Sequence, residues 1–171
     1  SVCTWRGSWV EAERELTSAG DEIPACRVTA TGEAVVRLGE LRRRQGRLDE
    51  AHALFERGGS HPLATLGRAN VVLDRGDFKA GADLAERHLR RLPPNNHTER
   101  AVALELMVRA CVEQGRTSEA KEAASELRAI ASEARTAPML ALASFAAGLV
   151  AARSADPESA RKHLEDAVDL F

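Results

Sequence analysis

The chain has 171 residues, a hydrophobic content of 44% and a net charge of −2 from 24 Lys and Arg against 26 Asp and Glu residues. This length and apolar content are enough to bury a sizeable core. Both signs of charge are mixed along the whole chain, which excludes the basic stripe that a nucleic-acid backbone requires, so we expect no direct nucleic-acid contact by this segment. Aromatic residues make up only 4% and Tyr is absent, a composition that favours close-packed helices over sheets.

A six-residue pattern recurs along the chain and predicts a series of turns between paired helices. Each copy begins with a residue that can end a helix in the left-handed conformation, and each carries a small residue five positions later. The copies begin at Gly7, Gly46, Gly76, Gly115 and, in degraded form, Ala155. Each copy therefore predicts two antiparallel helices joined by a tight turn.

The helices around these turns carry a second pattern. In the second helix of each pair, the positions five, nine and twelve residues after the turn are small or apolar in every copy except at His88. In the first helix, a large residue followed by a small one precedes the turn, as in Leu38-Gly39 and Ala147-Gly148. Extra residues are expected to form loops at 21–30, around Pro24, and at 94–98.

These positions, together with Pro93, resemble the tetratricopeptide repeat (TPR), whose unit is about 34 residues long. The resemblance covers almost the whole chain and implies an all-α fold, a right-handed superhelix of antiparallel helix pairs or TPR-like α-solenoid. We expect a single array over 1–171, with a truncated repeat at 1–20 and further repeats at about 32–60, 62–94, 101–134 and 141–171. The turn positions lie 39, 30, 39 and 40 residues apart, which predicts an irregular superhelix.

A narrower resemblance concerns the stretches 39–51, 61–63, 84–93 and 164–171. They are similar to the helical-repeat region of actinobacterial LuxR-type transcriptional regulators, in which a repeat array precedes a C-terminal helix-turn-helix domain. The resemblance implies a non-catalytic protein-interaction or effector-sensing module whose helix-turn-helix lies outside this segment. The alternative is a stand-alone TPR adaptor scaffold for the assembly of protein complexes. An enzyme is disfavoured because no constellation of catalytic groups recurs.

In TPR arrays the first helix of each pair lines the concave face, so the resemblance implies where a protein or peptide partner, or a small effector, would bind. The candidate positions on that face are Glu40, Arg43, Arg44, Leu66, Asn70, Leu73, Glu105, Arg109, Phe145 and Leu149. Asn70 stands where family members hydrogen-bond a peptide backbone, with an ordinary surface Asn as the alternative.

The three arginines of this face have nearby carboxylates. They suit an acidic partner, but Glu40 and Glu105 lie within one helical turn of them, so we expect internal pairing instead.

Other residues give little indication of chemistry. The five histidines are scattered at spacings that do not suit a metal site, and Gly58-Gly59 lacks the rest of a phosphate-binding loop. We therefore predict no catalytic, cofactor-binding or metal-binding residues. A half-buried His88 could titrate near neutrality, and the more common alternative is a ring that simply points to the rim. Cys111 is expected to be a small buried hydrophobe.

The cysteines and the ends of the chain bear on its location and assembly. Cys3, Cys26 and Cys111 suggest no disulfide framework, and no secretion leader opens the chain, so we expect a bacterial cytoplasmic protein. The start at Ser1 and the uncapped apolar end suggest a piece of a longer protein. The uncharged run at 136–152 is expected to be a buried helix rather than a membrane span. A homodimer through the terminal helices is a further expectation, because a solenoid without caps exposes its ends.

Overall fold

A computed structural model describes residues 9–22 and 28–170 of the chain, and all regular secondary structure in these ranges is α-helical. The helices are α1 (Trp9–Glu22), α2 (Val28–Arg44), α3 (Leu48–Arg57), α4 (Pro62–Asp74), α5 (Phe78–Leu89), α6 (His97–Glu113), α7 (Thr117–Ala134), α8 (Ala137–Arg153) and α9 (Pro157–Leu170). The all-α class is therefore confirmed. The predicted turn at Gly7 and the expectations for Cys3, Pro24 and Cys26 lie outside the described residues.

The helices group into two compact units that divide between Arg75 and Gly76. In the first unit, α1 packs against α2, α2 packs against α3 and α4, and α3 packs against α4. In the second unit, α5 packs against α6, α6 against α7 and α8, α7 against α8, and α8 against α9. Helices that follow one another in sequence are thus packed neighbours within each unit, as in a series of helical hairpins.

The predicted turns form where the sequence pattern places them. The backbone at Gly46, Gly115 and Ala155 is left-handed, with φ of 76°, 73° and 56°. In each of these turns the following amide donates to the carbonyl five residues before it, at 2.9, 2.9 and 3.1 Å respectively. This is the Schellman arrangement that ends a helix. The degraded copy therefore makes the same turn, although Ala155 carries a Cβ.

Small residues bring the helices of a pair close together, as the pattern predicts. A Cβ added to Gly39 would lie 2.9 Å from the ring of Phe55, and one added to Gly148 would lie 2.8 Å from Leu164. In both pairs the glycine lies on the first helix, and the side chain that it contacts comes sixteen residues later on the second helix. Such distances leave no room for a methyl group, so these glycines set the spacing of α2 and α3 and of α8 and α9.

Helices α2, α6 and α8 begin at Val28, His97 and Ala137, four residues before the positions 32, 101 and 141 at which their repeats are predicted to start, whereas α4 begins at Pro62. The predicted loop at 94–98 is wrong at its end. The side chain of Asn96 accepts a hydrogen bond from the amide of Glu99 at 3.4 Å and caps α6, so the helix includes the last two residues of that range.

Two predictions about single residues have opposite outcomes. An apolar residue follows the turn position by two residues in the first three copies of the pattern, which predicts that Trp9 is a core residue. In the structure Trp9 is 40% exposed at the start of α1. Helix α1 packs against α2 and buries Ala12 completely, whereas Trp9, in the first turn of α1, keeps this larger exposure. Cys111 is fully buried in α6, as predicted, and burial raises the pKa of its thiol.

Candidate functional site

Charged residues on α2 form a cluster in the first unit. Glu40 accepts hydrogen bonds from Nε and Nη2 of Arg43, both at 2.9 Å, and from Nε of Arg44 at 2.8 Å. Arg43 also donates from Nη1 to Asp74 at the end of α4, at 2.6 Å. The predicted internal pairing of these arginines is confirmed.

The electrostatics of this cluster favour its charged form. Burial alone would raise the pKa of Glu40, but the hydrogen bonds and charges of Arg43 and Arg44 more than offset it and hold that pKa below its ordinary value. The same hydrogen bonding raises the pKa of Arg43. An acidic partner would therefore have to displace carboxylates that already neutralise these arginines.

The candidate residues on α4 are largely covered. Leu66 and Leu73 are only 3% and 4% exposed, so both belong to the core. Asn70 is half-buried, and its Nδ2 donates to the carbonyl of Leu66 at 3.3 Å. The carboxamide oxygen of Asn70 is the atom that would accept a hydrogen bond from a peptide amide, and its role in binding stays a prediction.

In the second unit, the candidate residues lie on α6 and α8. Glu105 is 8% exposed, with Oε1 3.7 Å from Nε of Arg109, so the predicted pairing is confirmed here too. Phe145 and Leu149 are partly buried on α8. Helix α8 packs against α6, α7 and α9, as expected for a helix that is apolar on all sides. Phe145 and Leu149, four residues apart, are partly exposed apolar side chains of α8, and their role in binding stays a prediction.

A groove between α7 and α8 was not foreseen from the sequence. It has a volume of about 390 Å³. Four small or apolar residues and five polar ones line it: Ala124, Ala147, Val150, Ala151, Lys121, Ser125, Arg128, Ser154 and Asp156. The sequence signal was the spacing of Lys121, Ser125 and Arg128, which places them on one face of a helix. The repeat pattern assigned binding to first helices, whereas α7 is the second helix of its pair.

His61, at the start of α4, makes two polar contacts through its ring. Nδ1 of His61 accepts a hydrogen bond from the amide of Leu63 at 3.2 Å, and Nε2 lies 3.0 Å from Glu33. The ring of His61 therefore caps the start of α4 through Nδ1.

The ring of His88 is mostly buried between α5 and α6. Its Nε2 lies 3.4 Å from Glu99 but makes no hydrogen bond within the described part of the chain. Burial disfavours the imidazolium and lowers the pKa of His88, although the charge of Glu99 opposes this effect.

Residues 9–22 and 28–170 contain no group of three or more His, Cys, Asp or Glu side chains placed to hold a metal ion. The same ranges include no helix with the length and hydropathy needed to cross a bilayer.

Comparisons with known proteins define the class of fold. MamA from residue 41 to its end, from Desulfovibrio magneticus RS-1, superimposes with a TM-score of 0.55 and 17% identity over 98% of this chain and 88% of its own. The MamA RS-1 ArsTM double mutant superimposes with a TM-score of 0.55 and 18% identity, also over 98% of this chain and 88% of its own.

YrrB, a TPR protein with an unusual peptide-binding site, superimposes with a TM-score of 0.52 and 21% identity over 96% of this chain and 80% of its own. The chain thus has a TPR-like α-solenoid fold. No protein-family profile matches the sequence, and neither does any curated protein.

Proposed function

We propose that this chain is a non-catalytic scaffold that binds a protein or peptide partner. The observation that carries the proposal is its TPR-like fold, shared with YrrB over 96% of the chain. Stacked helical repeats work through an extended surface rather than through a reactive centre. Asn70 in the first unit, and Phe145 and Leu149 in the second, are predicted binding residues whose side chains are partly exposed.

A peptide library displayed on phage and selected on the immobilised chain tests this function. Selected peptides should bind in calorimetry with dissociation constants in the micromolar range, and Asn70→Ala or Phe145→Ala should weaken them. Arg161→Ala is the matched control, because this exposed residue of α9 pairs with Glu165 and lies outside the predicted face. A selection that yields no peptide tighter than about 1 mM, or roughly −4 kcal/mol, would rule out the scaffold role.

The more specific proposal concerns the protein that contains this chain. The resemblance of 39–51, 61–63, 84–93 and 164–171 to LuxR-type regulators favours an interaction or effector-sensing arm of a bacterial cytoplasmic transcription factor. The test compares the intact gene product with the isolated chain in binding to promoter DNA. DNA binding by the intact protein alone supports the regulator, and its absence from both supports a stand-alone adaptor.

Self-association through the terminal helices is part of the same proposal. Val168 on α9 is 75% exposed, although most large apolar side chains of the described residues are buried or partly buried. A second copy that packs against α9 would cover this side chain. Light scattering at high concentration should give the mass of a dimer, which Val168→Glu should reduce to that of a monomer. A monomeric mass for the unaltered chain would argue against the dimer.

A further inference from the structure

The groove between α7 and α8 has a pair of basic side chains without counterions. Lys121 and Arg128 are exposed and line the groove, and neither forms an ion pair within the described part of the chain. The four carboxylates of α7 contact other residues: Glu119 contacts Arg116, Glu126 contacts Arg100, Glu122 contacts Ser118, and Glu133 lies 4.0 Å from His97. The groove therefore presents two basic side chains that form no ion pair, together with one carboxylate, that of Asp156.

The spacing of these charges limits what can bind both. Lys121 and Arg128 are seven residues apart, which is two helical turns or a rise of about 10.5 Å. In a polyproline II segment, which has three residues per turn, side chains three residues apart project from the same side at a separation of about 9 Å. A segment of this kind with carboxylates at its first and fourth residues therefore matches the two charges.

The rest of the groove suits an extended backbone better than a helix. A polyproline II segment makes no internal hydrogen bonds, so its carbonyl groups need donors. Ser125 and Ser154 line the groove, and a serine hydroxyl can donate a hydrogen bond to such a carbonyl. The apolar floor from Ala147 to Ala151 offers a surface to the residues between the two acids. The backbone of a helix would leave these hydroxyl groups unused.

We propose that the groove binds an extended, polyproline II-like segment of a partner protein through two carboxylates three residues apart, one at Lys121 and one at Arg128. This rests on the proposed scaffold function and names a site for it. It moves the binding site from the first helices, where the repeat pattern placed it, to a second helix.

Asp156 makes the two ends of the groove unequal. Its Oδ1 accepts a hydrogen bond from the amide of Ser159 at 3.1 Å and caps α9, and the hydrogen bonds of Ser159 lower its pKa. Because α7 and α8 are packed neighbours joined by a short turn, Lys121 near the start of α7 lies towards the end of α8 and Asp156. The carboxylate of Asp156 therefore weakens the Lys121 end, and Arg128 contributes more to binding.

Two capped peptides of identical composition test the proposal by NMR titration into the whole ¹⁵N-labelled chain. Acetyl-Pro-Glu-Pro-Pro-Glu-Pro-amide has the required spacing, whereas acetyl-Pro-Pro-Glu-Glu-Pro-Pro-amide has adjacent carboxylates. The first peptide should bind about threefold more tightly, as expected for one additional exposed ion pair, and should shift amide signals at 121–128 and 147–156. Equal affinities, or shifts elsewhere, would overturn the proposal.

Three variants separate this binding from a change in structure. Arg128→Gln and Lys121→Gln should each remove the preference for the spaced peptide, and Arg128→Gln should lower the affinity for it more. Asp156→Asn should strengthen binding about threefold, because Asn keeps the helix cap but removes the repelling charge. Weaker binding by Asp156→Asn would contradict the proposal. If peptides from the phage selection bind while both test peptides do not, the groove proposal fails and the scaffold function stands.

Discussion

The ring of Phe55 occupies the space next to Gly67 that a side chain would need. A Cβ built on Gly67 would lie 2.5 Å from both Cδ1 and Cζ of this ring, and one built on Gly39 would lie 2.9 Å from Cε1. Phe55 is 1% exposed at the centre of the apolar cluster of the first unit. Helices α2 and α4 can therefore pack against the ring of α3 only because both carry glycine at the point of contact.

Replacing these glycines should destabilise the first unit. We expect Gly67→Ala to lower the free energy of unfolding by about 1–3 kcal/mol through overpacking, and Gly39→Ala to lower it by less. Gly32→Ala is the matched control, because the nearest atom to its added Cβ is 3.9 Å away on His61. That change should raise stability by about 0.5–1 kcal/mol. Urea unfolding measures the free energy of unfolding of each variant, and the values can be compared when the m value is unchanged. Equal effects of the substitutions at Gly67 and Gly32 would refute the packing argument.

The turns and the small packing positions were predictable because they depend on local backbone geometry and on one neighbouring helix. A left-handed residue ends a helix whatever surrounds it, so the pattern located Gly46, Gly115 and even Ala155. The close contact of a glycine with the neighbouring helix recurs at the same sequence separation in two hairpins, at Gly39 with Phe55 and at Gly148 with Leu164. It was predictable because it depends on only one neighbouring helix.

Other properties depend on what each helix contacts, which the sequence does not show. Trp9 has the position of a core residue but is 40% exposed at the start of α1. Leu66 and Leu73 follow the register of a binding face and yet are buried. The groove at Lys121 and Arg128 arises because α7 packs against α8 in a way that leaves this face open. Such outcomes follow from tertiary packing rather than from periodicity.

The degraded turn offers a stabilising substitution. Ala155 has φ of 56°, a conformation that costs an L-residue with a Cβ roughly 1–2 kcal/mol. We expect Ala155→Gly to raise the free energy of unfolding by about 0.5–1 kcal/mol, after allowance for the greater freedom of glycine in the unfolded chain. Ala152→Gly, in the last turn of α8, is the control and should lower stability by up to about 1 kcal/mol. If thermal unfolding shows that Ala155→Gly lowers the stability of the chain, the proposed strain at this turn is wrong.

The charged cluster of the first unit should contribute stability that depends on pH. Glu40→Gln should lower the free energy of unfolding by about 1–2 kcal/mol at neutral pH, since it weakens the hydrogen bonds to Arg43 and Arg44. The lowered pKa of Glu40 means that its contribution is present above the ordinary glutamate pKa and is lost as pH falls through the value in the folded protein.

Denaturant titrations at several pH values below neutrality measure the effect of the Glu40 substitution. Glu165→Gln is the control, because the pair of Glu165 with Arg161 is exposed and its loss should change stability by less than about 0.5 kcal/mol. Identical effects of the two substitutions at neutral pH would show that partial burial adds nothing to the cluster.

His88 should make the second unit less stable in mild acid. Burial lowers its pKa in the folded protein, so the unfolded chain takes up a proton first as pH falls below about 6.5. Stability is therefore highest above this value and declines towards pH 5. His88→Ala places a small residue where the repeat pattern expects one and removes a buried Nε2 without a hydrogen bond, so the decline should become smaller.

Glu99→Gln should have the opposite effect on this decline. The carboxylate of Glu99 favours the charged form of His88 and partly offsets the effect of burial. Its removal should lower the pKa of His88 further and steepen the loss of stability between pH 7 and pH 5. Chemical unfolding between pH 7 and pH 5 compares the stability of the unaltered chain, of His88→Ala and of Glu99→Gln. The same slope for the unaltered chain and for His88→Ala would assign the pH dependence to other groups.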